Sequence, residues 1–472
     1  MFKISFFIFY LILNFIKFNL DKFIFLLINI KMDAMYSNVV KSRILDPRTF
    51  NQNRCEFRLD ESNSKVFLSN LRLINLGATS TNSTDNYNVI GLGHANCIQS
   101  IHLYSGNQLL DQLRDVPSWL AFRNTNNTTK LNAGKVPLDG ASVAYLSQGQ
   151  TDWATVGEKP SVTENSIGYY PFGVNFKTTL TSGVNDVADN TGWVSVKDML
   201  PFLKSAMSLP TKVLTNLRLV IQFNTLAQIN KLRAFNDDTD MKIIEPSLVL
   251  DEVMDGAESE ALEKGFQGVS YDAIEADKLI VPAISNSVDN TEANGGVKAT
   301  SNTYLVNSFS NKYVKKLILA TQPTDPLTYS DGDFGGDANG LIYGAVPSMS
   351  QWDPTVQVRI NGQNKIYGNG FEGWNRRLGQ LVDTCGEMVV PLSMNVPGYT
   401  NFDTTNEDSG FRGMADWTGV PVEDYVNECK ITLGRSAILN NADINQRLQL
   451  LVFGIVQKTL RVNPDGSFNI FY

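Results

Sequence analysis

Apolar and polar positions alternate with a period of two at several places along the chain. Leu217, Leu219, Ile221 and Phe223 interleave with Arg218, Gln222 and Asn224, which predicts a strand with one face in a core. Residues 65–74 read as a strand stopped by Asn75 and Gly77. Residues 98–104 read as another, ended by the turn text Ser105-Gly106-Asn107. Residues 247–253 add a strand near the end of the first half. In the second half, strand text is expected at 278–282, 314–320, 356–360, 388–391 and 448–456. Helical text is scarcer: 197–207 ahead of Pro210, the Trp119 segment, and 374–382.

Between these runs lie long polar stretches, 123–166 and 178–192, rich in Asn, Thr, Ser and Gly. Loops of this length suit the ends of a sandwich that meets neighbours. Residues 254–275 read as an acidic connector without strand pattern, part of it open to helix. The two parts of the chain echo each other. Residues 98–110 lay over 356–366, each a strand, an Asn/Gly turn, a Gln and apolar residues, followed by a Trp-bearing helical segment at Trp119 or Trp374. Each half also carries a strong strand towards its end, 217–225 and 448–457. That order favours a duplicated unit, and 472 residues are too many for one hydrophobic core.

Hydrophobic residues make up 43% of the chain and charged ones only 19%, which is a globular composition with a weakly charged surface. The formal net charge is −8, and the only basic cluster in the sequence text is Lys312, Lys315 and Lys316. That is too little for a nucleic-acid-coating arm. Cys55, Cys97, Cys385 and Cys429 form no C-x-x-C pair, so buried thiols in a reducing compartment are expected rather than a zinc or redox site. The sequons at Asn82 and Asn127 matter only in a secreted chain.

Residues 1–31 stand apart. They consist almost wholly of Phe, Ile, Leu, Asn, Lys and Tyr, without Ala, Gly, Val or Pro. All of these common residues have A/T-rich codons, so the stretch reads as upstream DNA ahead of a start at Met32 or Met35. The functional alternative is a membrane-associated helix, although its first apolar run is short for a span. A cleaved signal peptide would need a small-residue cleavage site that is not there.

Candidate chemistry is sparse. Only two histidines occur, His94 and His102, with no nucleophile motif nearby. The run Gly91-Leu92-Gly93-His94-Ala95-Asn96 lacks the third glycine and the helix of a phosphate loop, and no G-x-x-x-x-G-K-[ST] sequence is present. Asp331, Asp333 and Asp337 alternate in a Gly-rich loop that could meet a hard cation, but Ile342 stands where a bidentate Glu is needed. No catalytic, cofactor-binding or metal-binding residue is therefore nominated, and neither enzyme activity nor a cofactor is expected. A carbohydrate-binding or carbohydrate-processing sandwich is the alternative, motivated by Trp352-Asp353 and Asp416-Trp417 in loop text.

Several of these runs together resemble one family. Ile98-x-x-Ile101-x-Leu103-Tyr104-x-Gly106, then Leu110-Asp111-Gln112-Leu113-Arg114 and Trp119-Leu120-Ala121-Phe122, are similar to the first jelly roll of double jelly-roll major capsid proteins of the Polinton/Maverick and adintovirus type. Val356 to Lys365, Leu378-Gly379-Gln380-Leu381 and Leu448 to Phe453 are similar to the second. The resemblance spans roughly 54–472. It implies an all-β fold of two tandem eight-stranded jelly-roll sandwiches with short helices in the loops, at 54–255 and 278–472, joined by a linker at 256–277. It further implies a hexon-like subunit whose homotrimer tiles an icosahedral shell in the virion, assembled in the host nucleus or cytoplasm. Penton or minor capsid proteins would be its partners. Double-stranded DNA would be enclosed without specific contact, and a membrane would be involved only if residues 1–31 belong to the protein.

Overall fold

The computed structural model describes residues 40–59, 65–79, 95, 97–126, 192–225, 242–281, 297–323, 355–366, 374–385, 417–438 and 448–472. The first part carries β1 (Val40–Leu45), β2 (Thr49–Asn51), β3 (Arg54–Arg58), β4 (Val66–Leu68), β5 (Arg72–Leu76), β6 (Ala78–Thr79), β7 (Ile98–Ser105) and β8 (Gln108–Arg114). After helix α1 (Val116–Asn126) come β9 (Gly192–Ser195), α2 (Pro201–Ser205), β10 (Ser208–Pro210), β11 (Leu217–Phe223), β12 (Lys242–Ile243), β13 (Ser247–Val253) and α3 (Gly256–Gly265). The second part follows with β14 (Gly268–Val281), β15 (Val297–Leu305), β16 (Lys312–Pro323), β17 (Thr355–Ile360), β18 (Gln363–Asn364), α4 (Trp374–Cys385), β19 (Thr418–Val426), β20 (Cys429–Ile438), β21 (Leu448–Val462) and β22 (Phe468–Phe471).

Strand order shows the duplication directly. In the second part the sheets run β14-β21-β16-β19 and β15-β20-β17-β18. Ranked along the chain, these are strands 1-8-3-6 and 2-7-4-5. In the first part β13 pairs with β1 on one side and with β4 and β5 on the other, while β10 and β9 continue outward from β4 and β5. Its second sheet runs β3-β11-β7-β8, with β2 added at the edge. With β4/β5 taken as one broken strand and β9/β10 as another, the ranks are again 1-8-3-6 and 2-7-4-5. Two antiparallel sheets in this order, closed over a shared core, make a jelly roll. The chain is therefore two jelly-roll sandwiches in tandem.

The overlay of 98–110 on 356–366 falls on equivalent hairpins, β7-β8 and β17-β18, each followed by a helix. Asn361 and Gly362 both have positive φ, 52° and 80°, as a tight primed turn requires. The strong strands near the end of each half are not counterparts: β11 is the seventh strand of its unit and β21 the eighth. Two further readings change. The 65–74 strand is broken at Ser69-Asn70-Leu71, and its second piece runs through Asn75, which sits at φ 59°, to Leu76, just before Gly77. The connector read at 254–275 is only partly a connector. Asp255 caps α3 by accepting the Glu258 N–H at 2.9 Å, but β14 already begins at Gly268. Its acidic residues hid the strand, because Glu275 is buried against lysines of neighbouring strands rather than solvated.

β21 explains why the apolar text at 448–456 hardly alternates. Leu450, Val452 and Val456 point into the core of their own sandwich, while Leu451, Phe453 and Ile455 belong to a second cluster shared with the first half. A strand buried on both faces reads as a continuous apolar run. Among the described residues no helix is long and apolar enough to cross a membrane. Residues 1–31, the 388–391 strand text and most of the polar stretches lie outside the described residues.

Candidate functional site

Among the described residues, the first half covers the outer wall of the second along a built seam. Helices α1 and α2 lie on β14 and β21. Trp119 and Phe453 stack with ring centroids 5.4 Å apart, Phe122 meets Trp417 at 5.0 Å, and Phe202 meets Tyr271 edge-on at 5.3 Å. All six rings are at most 8% exposed. They join the core of the first sandwich without a break, so the two sandwiches act as one block. Tilted and edge-on aromatic pairs add about 0.5–1.5 kcal/mol each beyond the area they bury.

Polar groups are sealed into the same seam. The Tyr271 hydroxyl donates to the Leu110 carbonyl across it. Asp111, 1% exposed, accepts the Phe202 N–H at 2.8 Å and the Gln112 N–H at 2.9 Å. Burial pushes its carboxyl up to about 7; the Phe202 N–H and the Lys458 charge oppose the shift without overcoming it. Glu275 takes Lys458 at 2.9 Å and Lys312 at 2.5 Å. Burial works against its charge, yet these two lysines hold its carboxyl below the usual range. The Tyr472 ring caps both ammonium groups, with centroid distances of 4.8 Å to Lys458 and 5.4 Å to Lys312.

Beside the seam a groove of about 860 Å³ opens between the outer wall of β3-β11-β7-β8 and β14. Its floor follows from strand alternation: Ile101, Leu103, Leu219 and Ile221 point inward, so Ser100, His102, Tyr104, Arg218 and Gln222 point outward. Pairing register lines up Arg54, Gln222, Ser100 and Arg114 in one row across four strands. The Ser100 hydroxyl donates to Gln222 at 2.9 Å and sits 3.0 Å from His102 Nε2. Arg218 donates to the Gly106 carbonyl at 2.6 Å and lies 5.4 Å over the Tyr104 ring. One carboxylate, Glu56, faces Arg54 at 2.8 Å, Arg218 at 3.8 Å and Arg58 at 3.9 Å. Lys278 bridges to Asp115 at 3.1 Å within the lining of the groove.

The sequence candidates fall as follows. His102 lies on the groove floor, and burial together with the Arg114 charge holds its imidazole below the usual range. His94, the glycine run around it except Ala95, the Asp331–Asp337 loop, both sequons and Trp352-Asp353 lie outside the described residues. The basic cluster is drawn into ion pairs, Lys312 with Glu275 and Lys315 with Asp272 at 2.8 Å. Cys55, Cys97 and Cys429 are buried and Cys385 half-buried, all as free thiols. Burial pushes the Cys55 and Cys429 thiols up to about 12. Trp417, read as a loop residue facing a sugar, is fully buried between Phe122 and Phe453. The groove was missed as a unit, because its floor comes from four strands spread between residues 54 and 222. Its one sequence trace was arginine recurring at outward positions.

No protein-family model matches the chain, and no curated protein matches its sequence. Solved structures do match. A chain in the cryo-EM structure of the Sputnik virophage aligns at TM-score 0.53 and 12% identity, over 92% of this chain and 88% of that one. The Faustovirus major capsid protein aligns at 0.49 and 9% identity, covering 90% of each chain. The mavirus major capsid protein aligns at 0.48 and 9% identity, over 92% of this chain and 90% of its own. The virophage likeness is one of fold, extends over nearly the whole chain, and agrees with the strand order.

Proposed function

We propose that this chain is the major structural subunit of an icosahedral shell, forming a pseudo-hexagonal homotrimer, and that it performs no catalysis. The observation that carries the reading is the repeated unit with its continuous seam. Two copies of one stiff sandwich, locked by the Trp119–Phe453 and Phe122–Trp417 pairs, give each chain two similar lobes in a fixed relation. A head-to-tail contact that closes by three-fold rotation then places six similar lobes in a ring. The fold shared with a chain of the Sputnik virophage supports the same reading. Within it, the two units are β1 to β13 and β14 to β21, wider than the expected 54–255 and 278–472 because each begins with a strand ahead of those bounds; the chain resides in the virion, and penton or minor capsid proteins complete the shell. The acidic chain, net −8, encloses double-stranded DNA without gripping it. An integrated element of the Polinton type is the proposed source, and a membrane is involved only through residues 1–31.

Size-exclusion chromatography with light scattering on the full chain, and on residues 32–472, tests the reading. A trimer or larger closed assembly is expected. A monomer that persists at high concentration overturns it.

A further inference from the structure

We propose that the groove between the outer wall of β3-β11-β7-β8 and β14 binds a compact polyphosphate-type anion. The inference stands on the groove itself and does not require the shell reading. Its lining places Arg54, Arg114, Arg218 and Lys278 around neutral hydrogen-bonding groups of Ser100, Tyr104 and Gln222. Row and strand spacing set the scale: Arg54 and Arg114 are three strands apart, about 14 Å at the backbone, and Arg218 sits four residues away along β11 from the Gln222 row, about 13 Å at the backbone. Guanidinium groups present paired N–H donors that match the oxygens of phosphate. Arg218 is already aimed by the Gly106 carbonyl and the Tyr104 ring. Arg114, exposed at the rim, is held by no hydrogen bond or ion pair among the described residues. Three guanidinium groups, Arg54, Arg58 and Arg218, divide the single Glu56 carboxylate, which leaves local positive charge on an otherwise acidic chain. Asp277 on the facing wall accepts the Ser308 hydroxyl at 2.7 Å, a hydrogen bond that does not cancel its charge, so Asp277 and Asp115 offset two of the surrounding cations and the remainder stays positive.

Size and charge select a small ligand over a polymer. The volume of about 860 Å³ is that of a small-molecule site, and the Lys278–Asp115 ion pair takes up part of its wall. A long nucleic acid would have to lie against a chain of net charge −8, which repels it beyond the groove. A ligand with two or three linked phosphates fits within that volume.

Isothermal titration calorimetry of tripolyphosphate into the full chain at low salt tests the assignment. One saturable site per chain is expected, weakened about tenfold by Arg114→Gln, the loss of one charge-assisted contact, and further by Arg54→Gln added to it. Lys430→Gln, in the other half, should leave the affinity unchanged. Since Arg114 is exposed and unpaired among the described residues, its variant keeps the native fold, as thermal melting would verify. No saturable heat, several equivalent sites, or an affinity indifferent to Arg114→Gln each overturns the proposal. So does tight binding of a tetraglutamate peptide where tripolyphosphate fails, since the groove would then be a docking site for acidic protein segments.

Discussion

Truncating Phe453 to alanine probes the seam most directly. The ring is 1% exposed and packs against Trp119 at 5.4 Å and Trp417 at 6.2 Å. A buried phenylalanine removes about 150–250 Å² from water, worth about 4–6 kcal/mol at 25 cal/mol per Å². Measured truncations of this kind cost about 3–5 kcal/mol, so about 4 kcal/mol is expected. Most of it falls on the coupling between halves, because Phe453 belongs to the shared cluster and not to the second sandwich's own core. Urea unfolding followed by tryptophan fluorescence reads both effects, since two of the reporting indoles flank the site. The wild-type halves should unfold together and the variant in two steps. A double-mutant cycle with Trp119→Ala should return a coupling of about 0.5–1.5 kcal/mol. A loss below about 1 kcal/mol, or strictly additive single losses, would refute the continuous seam.

Three other outcomes are expected. Gly454→Ala drives a Cβ to within 2.3 Å of the buried Phe309 ring, an overpacking that costs about 1–3 kcal/mol. Phe309→Leu added to it should restore part of the loss in thermal melting, and a neutral Gly454→Ala would contradict the packing described. Asp111 titrates near 7 in the fold against an ordinary 3.8. The fold therefore holds that proton longer than the unfolded chain, and its contribution to stability falls as pH rises from about 4 to about 7 and is flat above. Asp111→Asn should flatten melting temperature across that window and lie below wild type at its acid end, because its amide NH₂ meets one of two N–H donors; an unchanged slope would be the contrary result. With Cys55 and Cys429 thiols near 12 and Cys97 buried, a thiol reagent at pH 8 should label half-buried Cys385 first, and slowly, because burial raises its thiol too. Rapid labelling of a second thiol in the native chain would count against these positions.

Strands with one buried face were legible in the sequence. β7, β11 and β13 were read nearly to the residue; in β7 and β11 most outward side chains are polar. The duplication was legible where a turn fixed it, at Gly106 and at Asn361-Gly362. What the text obscured are places where tertiary burial contradicts residue type. β14 looked like a connector because Asp272, Glu275 and Asp277 suggest solvent, whereas Glu275 is neutralised by lysines from β16 and β21. β19, with Pro421, Glu423 and Asp424, and β20, with Gly434 and Arg435, carried too many strand-breaking residues to be read at all. Trp417 looked like loop surface because nothing local reveals that α1 of the other half lies over it. The groove could not be read, since no short segment contains more than two of its cations.

Because β21 serves a different core with each of its faces, hydrophobicity alone does not fix its alignment. Sliding it by one residue would exchange one greasy set for another, an error that a solvent-facing strand would punish at once. What holds it in place is shape and one buried ionic lock: the hollow at Gly454 admits Phe309 on one side, Phe453 fits between two indoles on the other, and Lys458 must reach Glu275. The strand works as a key cut on both edges, so its tolerance for substitution should be narrowest at its smallest residue.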